Sequence, residues 1–289
     1  MTVVHVTRQM SVEEAQTLLN TKPNTTDPLL ITDYPTTVIS HETQKPIALL
    51  TKALDDDCRL LTAAALKHHK LYGGGVVRAG GMRSRSATFG FSGAAPQMSR
   101  PTPSASAWAY QDATGHAVIA NYATELNRVL FQDGPKEISD KHLVTKNSIH
   151  ADWRLGDTCW TSGIVNDTAN LYYHYDKNNV EGTWSAMIVL RAGVRGGYLH
   201  LPEYDLTLPC GNGDIVYFPG MSLVHGVTPI VKSLPSGRRF SIVYYSMKNF
   251  VNKPSSLTSV QTSRARQSVL SESLLDRQRA AGLLRDQPK

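Results

Sequence analysis

The sequence predicts an α+β protein with a mainly β core, a double-stranded β-helix or jelly-roll barrel with N-terminal helices packed outside it. Two observations carry this. From about residue 159 the chain consists of short strand-like runs, "LYYHYD", "TWSAMIVLRA", "YLHLPEYDLTL", "DIVYFP", "MSLVHGVTPIV" and "RRFSIVYYS", with turn signals in "GG" at 196–197 and "CGNGD" at 210–214. Before them lie helical patterns, and strands at this spacing after a helical segment fit a closed antiparallel barrel.

The helices follow from local signals. "SVEEAQTLLN" opens with Ser11 and carries Glu14 three residues on, a capping box ahead of apolar residues at helical spacing. "ALDDDCRLLTAAALKHHKLYGGG" is rich in good helix formers and stops at Gly73, Gly74 and Gly75. A third helix is expected within "NYATELNRVLF", residues 121–131. Between the second and third, residues 78–110 are dense in Gly, Ser and Pro and hold four arginines and no acidic residue. Loops this long inside a compact unit tend to be functional or disordered. The expected division is a helical elaboration over 1–75, a barrel core over 76–250 that begins with the Gly/Arg-rich loop, and a basic tail over 251–289.

Charge and cysteine usage exclude several classes. The 289 residues carry a net charge of +6, but residues 251–289 hold seven Lys/Arg and three Asp/Glu, which leaves +2 for residues 1–250. The basicity is mostly a property of the tail, and a solvated terminus explains most of it. Cys58, Cys159 and Cys210 are far apart with no CxxC pair, so neither a disulfide framework nor a cysteine-rich zinc site is signalled. No apolar run approaches the roughly 18 residues of a membrane span, and "MTVVHVTRQMSVEE" lacks the apolar stretch of a signal peptide. The expectation is a soluble intracellular protein, nuclear if eukaryotic, monomeric and without a membrane partner.

The chemistry is concentrated in "NLYYHYDKNN". On an extended chain His174 and Asp176 share one face. A later strand must complete a metal site; His225 in "LVHGVTP" is the natural candidate and His200 in "YLHLPEY" the competitor. Two imidazoles and one carboxylate on one face of an octahedron leave positions open for a bidentate co-substrate and O₂, the pattern of non-haem Fe(II) oxygenases. In "GRRFSIVYYS", Arg239, Ser241, Val243 and Tyr245 alternate onto one face, and Phe240, Ile242 and Tyr244 onto the other. A guanidinium with a hydroxyl two residues on is a fitting receptor for a carboxylate.

"HYD", a histidine 49 residues after Asp176, and "RFS" resemble the Fe(II)/2-oxoglutarate dioxygenases. "HYDKNNVEGTWSAMIVL", "GGYLHLPEYDLTLPCGNGDIVYFPG" and "VHGVTPIVKSLPSGRRFSIVYYSMKN" narrow the resemblance to the ten-eleven translocation and J-binding protein (TET/JBP) family of nucleic-acid base hydroxylases. The resemblance covers roughly residues 85–250. It implies His174, Asp176 and His225 as iron ligands, and Arg239 with Ser241 on the distal carboxylate of 2-oxoglutarate. It further implies Asn179 and Tyr245 against the target base, Asn179 by hydrogen bonding and Tyr245 by stacking; for Tyr245 a satisfied core tyrosine is the competing reading. A second arginine for 2-oxoglutarate is expected upstream of "FG", where "RSRSATFGF" offers Arg85 ahead of Arg83.

The implied function is hydroxylation of the methyl of a nucleobase in DNA, 5-methylcytosine first and thymine second, with Fe(II), 2-oxoglutarate and O₂. The alternatives are an oxygenase of the same fold acting on a small molecule or protein side chain, or a non-catalytic barrel that binds modified nucleic acid. Two departures are visible: Met247 stands where vertebrate members place a histidine, and the three scattered cysteines cannot form their zinc sites.

Overall fold

The computed structural model describes residues 2–24, 27–77, 82–92 and 115–255. Most of the expected arginine-rich loop and of the basic tail falls outside these residues.

Among the described residues the α-helices are α1 (Val12–Thr17), α2 (Asp55–Tyr72), α3 (Gly115–Asp133) and α4 (Lys136–Asn147). α1 begins as expected: Ser11 accepts from the Glu14 amide, and the Glu14 carboxylate accepts from the Ser11 amide. α2 ends where Gly73 leaves the helical region, its amide still donating to the His69 carbonyl. α3 is longer than the expected span, and α4 was not anticipated. Its sequence, KEISDKHLVTKN, buries only Ser139, His142 and Thr145, so it lacks the apolar stripe that marks an amphipathic helix.

The strands are β1 (Thr2–Val6), β2 (Thr36–Ser40), β3 (Pro46–Lys52), β4 (Gly74–Val77), β5 (Arg83–Gly90), β6 (Ser162–Asp167) and β7 (Ser185–Ala192). They continue with β8 (Val194–Gly196), β9 (Leu199–Leu201), β10 (Leu206–Leu208), β11 (Asp214–Phe218), β12 (Gly226–Val227), β13 (Ile230–Lys232) and β14 (Arg238–Tyr245). The major sheet has nine strands in the order β1-β2-β3-β11-β7-β14-β6-β5-β4; the minor sheet is β10-β9-β12, and β8 and β13 form a ribbon. This is a double-stranded β-helix. β1 pairs with β2 in parallel, while every other named pair is antiparallel.

The N-terminal segment differs from a purely helical elaboration, because β1, β2 and β3 extend the major sheet beyond β11. "LYYHYD" also differs from a regular strand. Its only bridge joins His174 to His225, because Tyr173 pairs on its other side with Thr21 and Asp176 with Gly220.

Period-two alternation decides where the major sheet's side chains go. Phe240, Ile242 and Tyr244 of β14 join Ile188, Leu190 and Tyr217 under α2 and α3. Met187, Val189, Val216 and Phe218 face the minor sheet, where they meet Leu199, Leu201, Leu206 and Leu208. The barrel interior lies between these two layers, on the same face of β14 as Arg239, Ser241, Val243 and Tyr245.

α4 is fastened through one buried histidine. His142 Nε2 accepts the Trp184 amide at 2.9 Å, which leaves Nδ1 protonated against Cys159 Sγ at 3.2 Å. Burial lowers the His142 pKa to about 3 from its ordinary 6.5, and raises that of Cys159 to about 12. Between pH 6.5 and 3 the unfolded chain takes up a proton at His142 that the folded chain refuses. This contribution to stability is therefore full above the unfolded value and is lost as the pH falls, at about 1.4 kcal/mol per pH unit. Unfolding free energies from urea titrations at pH 7 and pH 5 should show a drop in the parent that exceeds the drop in His142→Gln by roughly 2 kcal/mol.

Candidate active site

His174 and His225 face each other across their bridge, each amide donating to the other's carbonyl at 2.9 and 3.1 Å. Their rings lie 4.3 Å apart between centroids. Each ring is oriented in the same way: His174 Nδ1 donates to the Tyr172 carbonyl at 2.8 Å, and His225 Nδ1 to the Leu223 carbonyl at 2.9 Å. A carbonyl can only accept, so the proton sits on Nδ1 and the Nε2 lone pair is presented to Asp176. His174 Nε2 lies 3.8 Å from Asp176 Oδ1 and His225 Nε2 lies 3.9 Å from Oδ2. One donor atom from each of the three residues falls within 4.8 Å of the others, and this is the one such cluster among the described residues.

Asp176 is positioned by backbone and amide contacts. Its amide donates to Gly220 O at 2.9 Å, and a Cβ on Gly220 would come within 2.4 Å of its Oδ2. Asn179 Nδ2 donates to the same Oδ2 at 3.3 Å and to Ser185 Oγ at 3.1 Å. Outer contacts of this kind fix the orientation of ligating groups.

Behind the triad, the cavity is lined by Asn166, Met187, Leu199, Phe218 and Val243, with Ser241 and Tyr245 from β14. Arg239, two residues from Ser241 on the same face, is fully buried, and none of its guanidinium nitrogens has a hydrogen-bond partner. Burial lowers its pKa, with the Cys210 thiol as its one favourable electrostatic neighbour. Gly197, at φ +71°, makes room for it: a Cβ there would meet Arg239 Cδ at 2.8 Å. A buried cation with no counter-charge is costly unless an anion completes it. The donor set and this unpaired guanidinium fit Fe(II) and the dicarboxylate 2-oxoglutarate.

Arg85 is not brought to this cavity. β5 alternates, so Ser84 and Ser86 turn inward and are buried while the Arg85 side chain is 68% exposed, 3.9 Å from Asp167. The inward serines form a polar lane that went unread in the sequence: Ser84 meets Ser86 at 3.2 Å, Ser86 donates to Asn166 Oδ1 at 2.9 Å, and Asn166 Nδ2 donates to Ser241 Oγ at 3.4 Å. The alternation in "RSRSATFGF" was its signal. His200, the competing ligand, is occupied elsewhere: Nδ1 accepts from the Tyr173 hydroxyl at 2.7 Å, and Nε2 faces Asp205 at 3.3 Å.

In front of the triad, a cleft of about 440 Å³ is walled by Leu19, Asn20, Tyr175, Asn179, Tyr245 and Met247, with His174 and Asp176 at its base. Tyr245 borders both this cleft and the inner cavity.

A double-stranded β-helix with two imidazoles and a carboxylate at its mouth and a buried arginine behind them defines the Fe(II)/2-oxoglutarate oxygenase class. No family model matches the chain. The chain is similar to the bifunctional helicase and thymine dioxygenase JBP2 of Trypanosoma brucei brucei, with 30% identity over 121 residues, 42% of this chain and 11% of that protein. It thus spans about a tenth of that relative's length. Among solved structures it is similar to NgTET1 in complex with 5mC DNA, at TM-score 0.56 and 15% identity, covering 84% of this chain and 90% of the other. An oxidoreductase of the 2OG-Fe(II) oxygenase family from Burkholderia pseudomallei aligns at TM-score 0.47 and 12% identity, covering 72% of this chain and 88% of the other. The first comparison is a sequence likeness confined to 42% of this chain, and the second shows a shared fold.

Removing any one of His174, Asp176 or His225 as alanine is expected to weaken Fe(II) binding sharply in an anaerobic titration. His200→Ala should retain it; the reverse pattern at His200 and His225 would exchange their roles.

Proposed function

We propose that the protein is an Fe(II)- and 2-oxoglutarate-dependent dioxygenase that hydroxylates the methyl group of a nucleobase in DNA, with 5-methylcytosine preferred to thymine. The observation that carries the oxygenase reading is Arg239, a fully buried guanidinium without a hydrogen-bond partner on the strand face that leads to the triad. In this reading His174, Asp176 and His225 hold Fe(II), and Arg239 with Ser241 binds the distal carboxylate of 2-oxoglutarate. When bound, the metal and co-substrate would supply hydroxylation of a C–H bond by O₂, one oxygen atom entering the product hydroxyl and the other the succinate formed from 2-oxoglutarate with loss of CO₂.

The protein's own groups orient the reaction. Met187, Leu199, Phe218 and Val243 keep the cavity apolar beside the triad and exclude water. A base inside a duplex cannot reach this depth, so it must leave the stack and enter the outer cleft. Tyr245, on the border between cleft and cavity, offers an aromatic face for stacking, and a base held against it turns its methyl towards the triad.

Asn179 bears on which base. Both of its N–H groups are directed to acceptors, Asp176 Oδ2 and Ser185 Oγ, so the amide presents its carbonyl oxygen as the remaining polar group. An acceptor matches the exocyclic amino group of cytosine and faces another acceptor in O4 of thymine. This supports the preference for 5-methylcytosine. The names of the relatives, one a thymine dioxygenase and one solved with 5mC DNA, support a methylated or methyl-bearing base in either case.

Mass spectrometry of nucleosides after incubation with methylated DNA tests the substrate directly; hydroxymethylcytosine is expected, and succinate formation without any oxidised base would overturn the reading. Arg239→Lys should raise the KM for 2-oxoglutarate strongly while Fe(II) affinity stays nearly unchanged, because an ammonium cannot form a planar two-point contact. Asn179→Ala or Tyr245→Ala should lower the ratio of hydroxylated base to succinate, each by a loss on the order of 1 to 3 kcal/mol of base binding. An unchanged ratio in both would remove them from the base pocket.

A further inference from the structure

A second cleft, about 790 Å³ in volume, shares no lining residue with the base cleft or the triad and meets the polar lane of the inner cavity only at Ser84. Its lining holds Lys22, Arg85, Lys232 and Arg238 against a single carboxylate, Asp167. Asp167 is buried and already neutralised, accepting two hydrogen bonds from Arg238 at 2.9 and 2.8 Å. Lys22, Arg85 and Lys232 are exposed; Arg85 lies 3.9 Å from Asp167, and the two lysines face no carboxylate in the cleft lining. The cleft carries a balance of +3, against +2 for the whole of residues 1–250.

The two clefts share a wall. The Asn20 amide donates to the Tyr173 carbonyl at 2.9 Å and the Tyr173 amide to the Thr21 carbonyl at 3.0 Å, which ties residues 20–21 alongside the strand that leads into His174. Asn20 and Tyr173 border the base cleft, while the next residues along, Lys22 and Tyr172, border the basic one. Lys22 Nζ stands 5.8 Å above the centre of the half-exposed Tyr172 ring. The top of the wall is therefore an aromatic face with a cation over it, a surface suited to a polyanion with planar bases.

Resting on the DNA reading above, we infer that this basic cleft is a phosphodiester subsite: it takes the backbone flanking the extruded nucleotide, on the side of the wall away from Tyr245. The contacts are to phosphate and carry no sequence information. They hold the strand in place while the base occupies the neighbouring cleft.

The test is fluorescence anisotropy of a labelled duplex carrying one 5-methylcytosine, and of its unmodified twin, over a series of salt concentrations. The proteins are the full chain, the variant Lys22→Ala/Lys232→Ala, and a control, Lys45→Ala/Lys67→Ala, which removes the same charge from exposed positions elsewhere. Loss of two phosphate contacts should weaken binding of both duplexes about equally, roughly tenfold at moderate salt, and make the slope of log K against log salt shallower by about 1.4 to 1.8. The control should keep the parent's slope, and all three proteins should consume 2-oxoglutarate equally in the absence of DNA. If the parent binds and Lys22→Ala/Lys232→Ala binds with the same slope, or the control loses as much, the subsite is wrong and the DNA reading stands. A parent that binds neither duplex at low salt overturns both.

Discussion

A guanidinium buried in a protein interior with nothing to pair it is the constraint around which this barrel is organised. Arg239 sits at 0% exposure, and its nitrogens meet no oxygen acceptor, with only the Cys210 thiol as a favourable neighbour. Such a charge weakens the fold on its own, since removal from water is repaid only by a well-placed counter-charge. Its neighbourhood keeps the space that makes repayment feasible. Gly197 withholds a side chain, Ser241 and Asn166 supply polar groups, and the same face of β14 lines the cavity with the triad. Stability given up at one residue is thereby linked to affinity for a dicarboxylate: an anion that binds the folded chain and not the unfolded one returns it.

The metal-binding half of the site is assembled by a different economy of contacts. Two histidines distant in sequence are brought face to face by reciprocal backbone hydrogen bonds, and each fixes its own tautomer on a carbonyl two residues earlier. The repetition of one local geometry on two extended segments gives two equivalent nitrogen donors without a dedicated network. Asp176 needs more support because a carboxylate can rotate. Gly220 leaves it room, and the amide of Asn179 holds one oxygen.

Much of this was legible in the sequence because it depends on short periods. The alternation of β14 placed Arg239, Ser241 and Tyr245 on one face and the large apolar residues on the other, as the two core layers show. Ser11 with Glu14, and the glycines after Tyr72, marked helix ends through local hydrogen bonding. What escaped depends on distant partners. The strands of the first 52 residues are recognisable only beside β11, and α4 is held by a polar histidine rather than an apolar stripe. Arg85 was drawn to the pocket by its chemistry, although the serines on either side of it were the inward-facing residues. The direction of the Asn179 amide follows from Ser185 and Asp176 together, a contact no single motif encodes.

The short ladder between residues 20–21 and Tyr173 places the beginning of the chain against the reaction centre. The same N-terminal arm is stitched to the barrel upstream, where the amides of Gln9 and Met10 both donate to the Glu203 carbonyl and β1 lies along β2. Leu19 and Asn20 on the substrate side thus come from a segment about 150 positions away from the nearest metal ligand, while Tyr175, Asn179, Tyr245 and Met247 complete the same cleft from the barrel. The rim of both clefts is consequently open to change at Asn20 and Lys22 without replacement of any residue that would hold the metal.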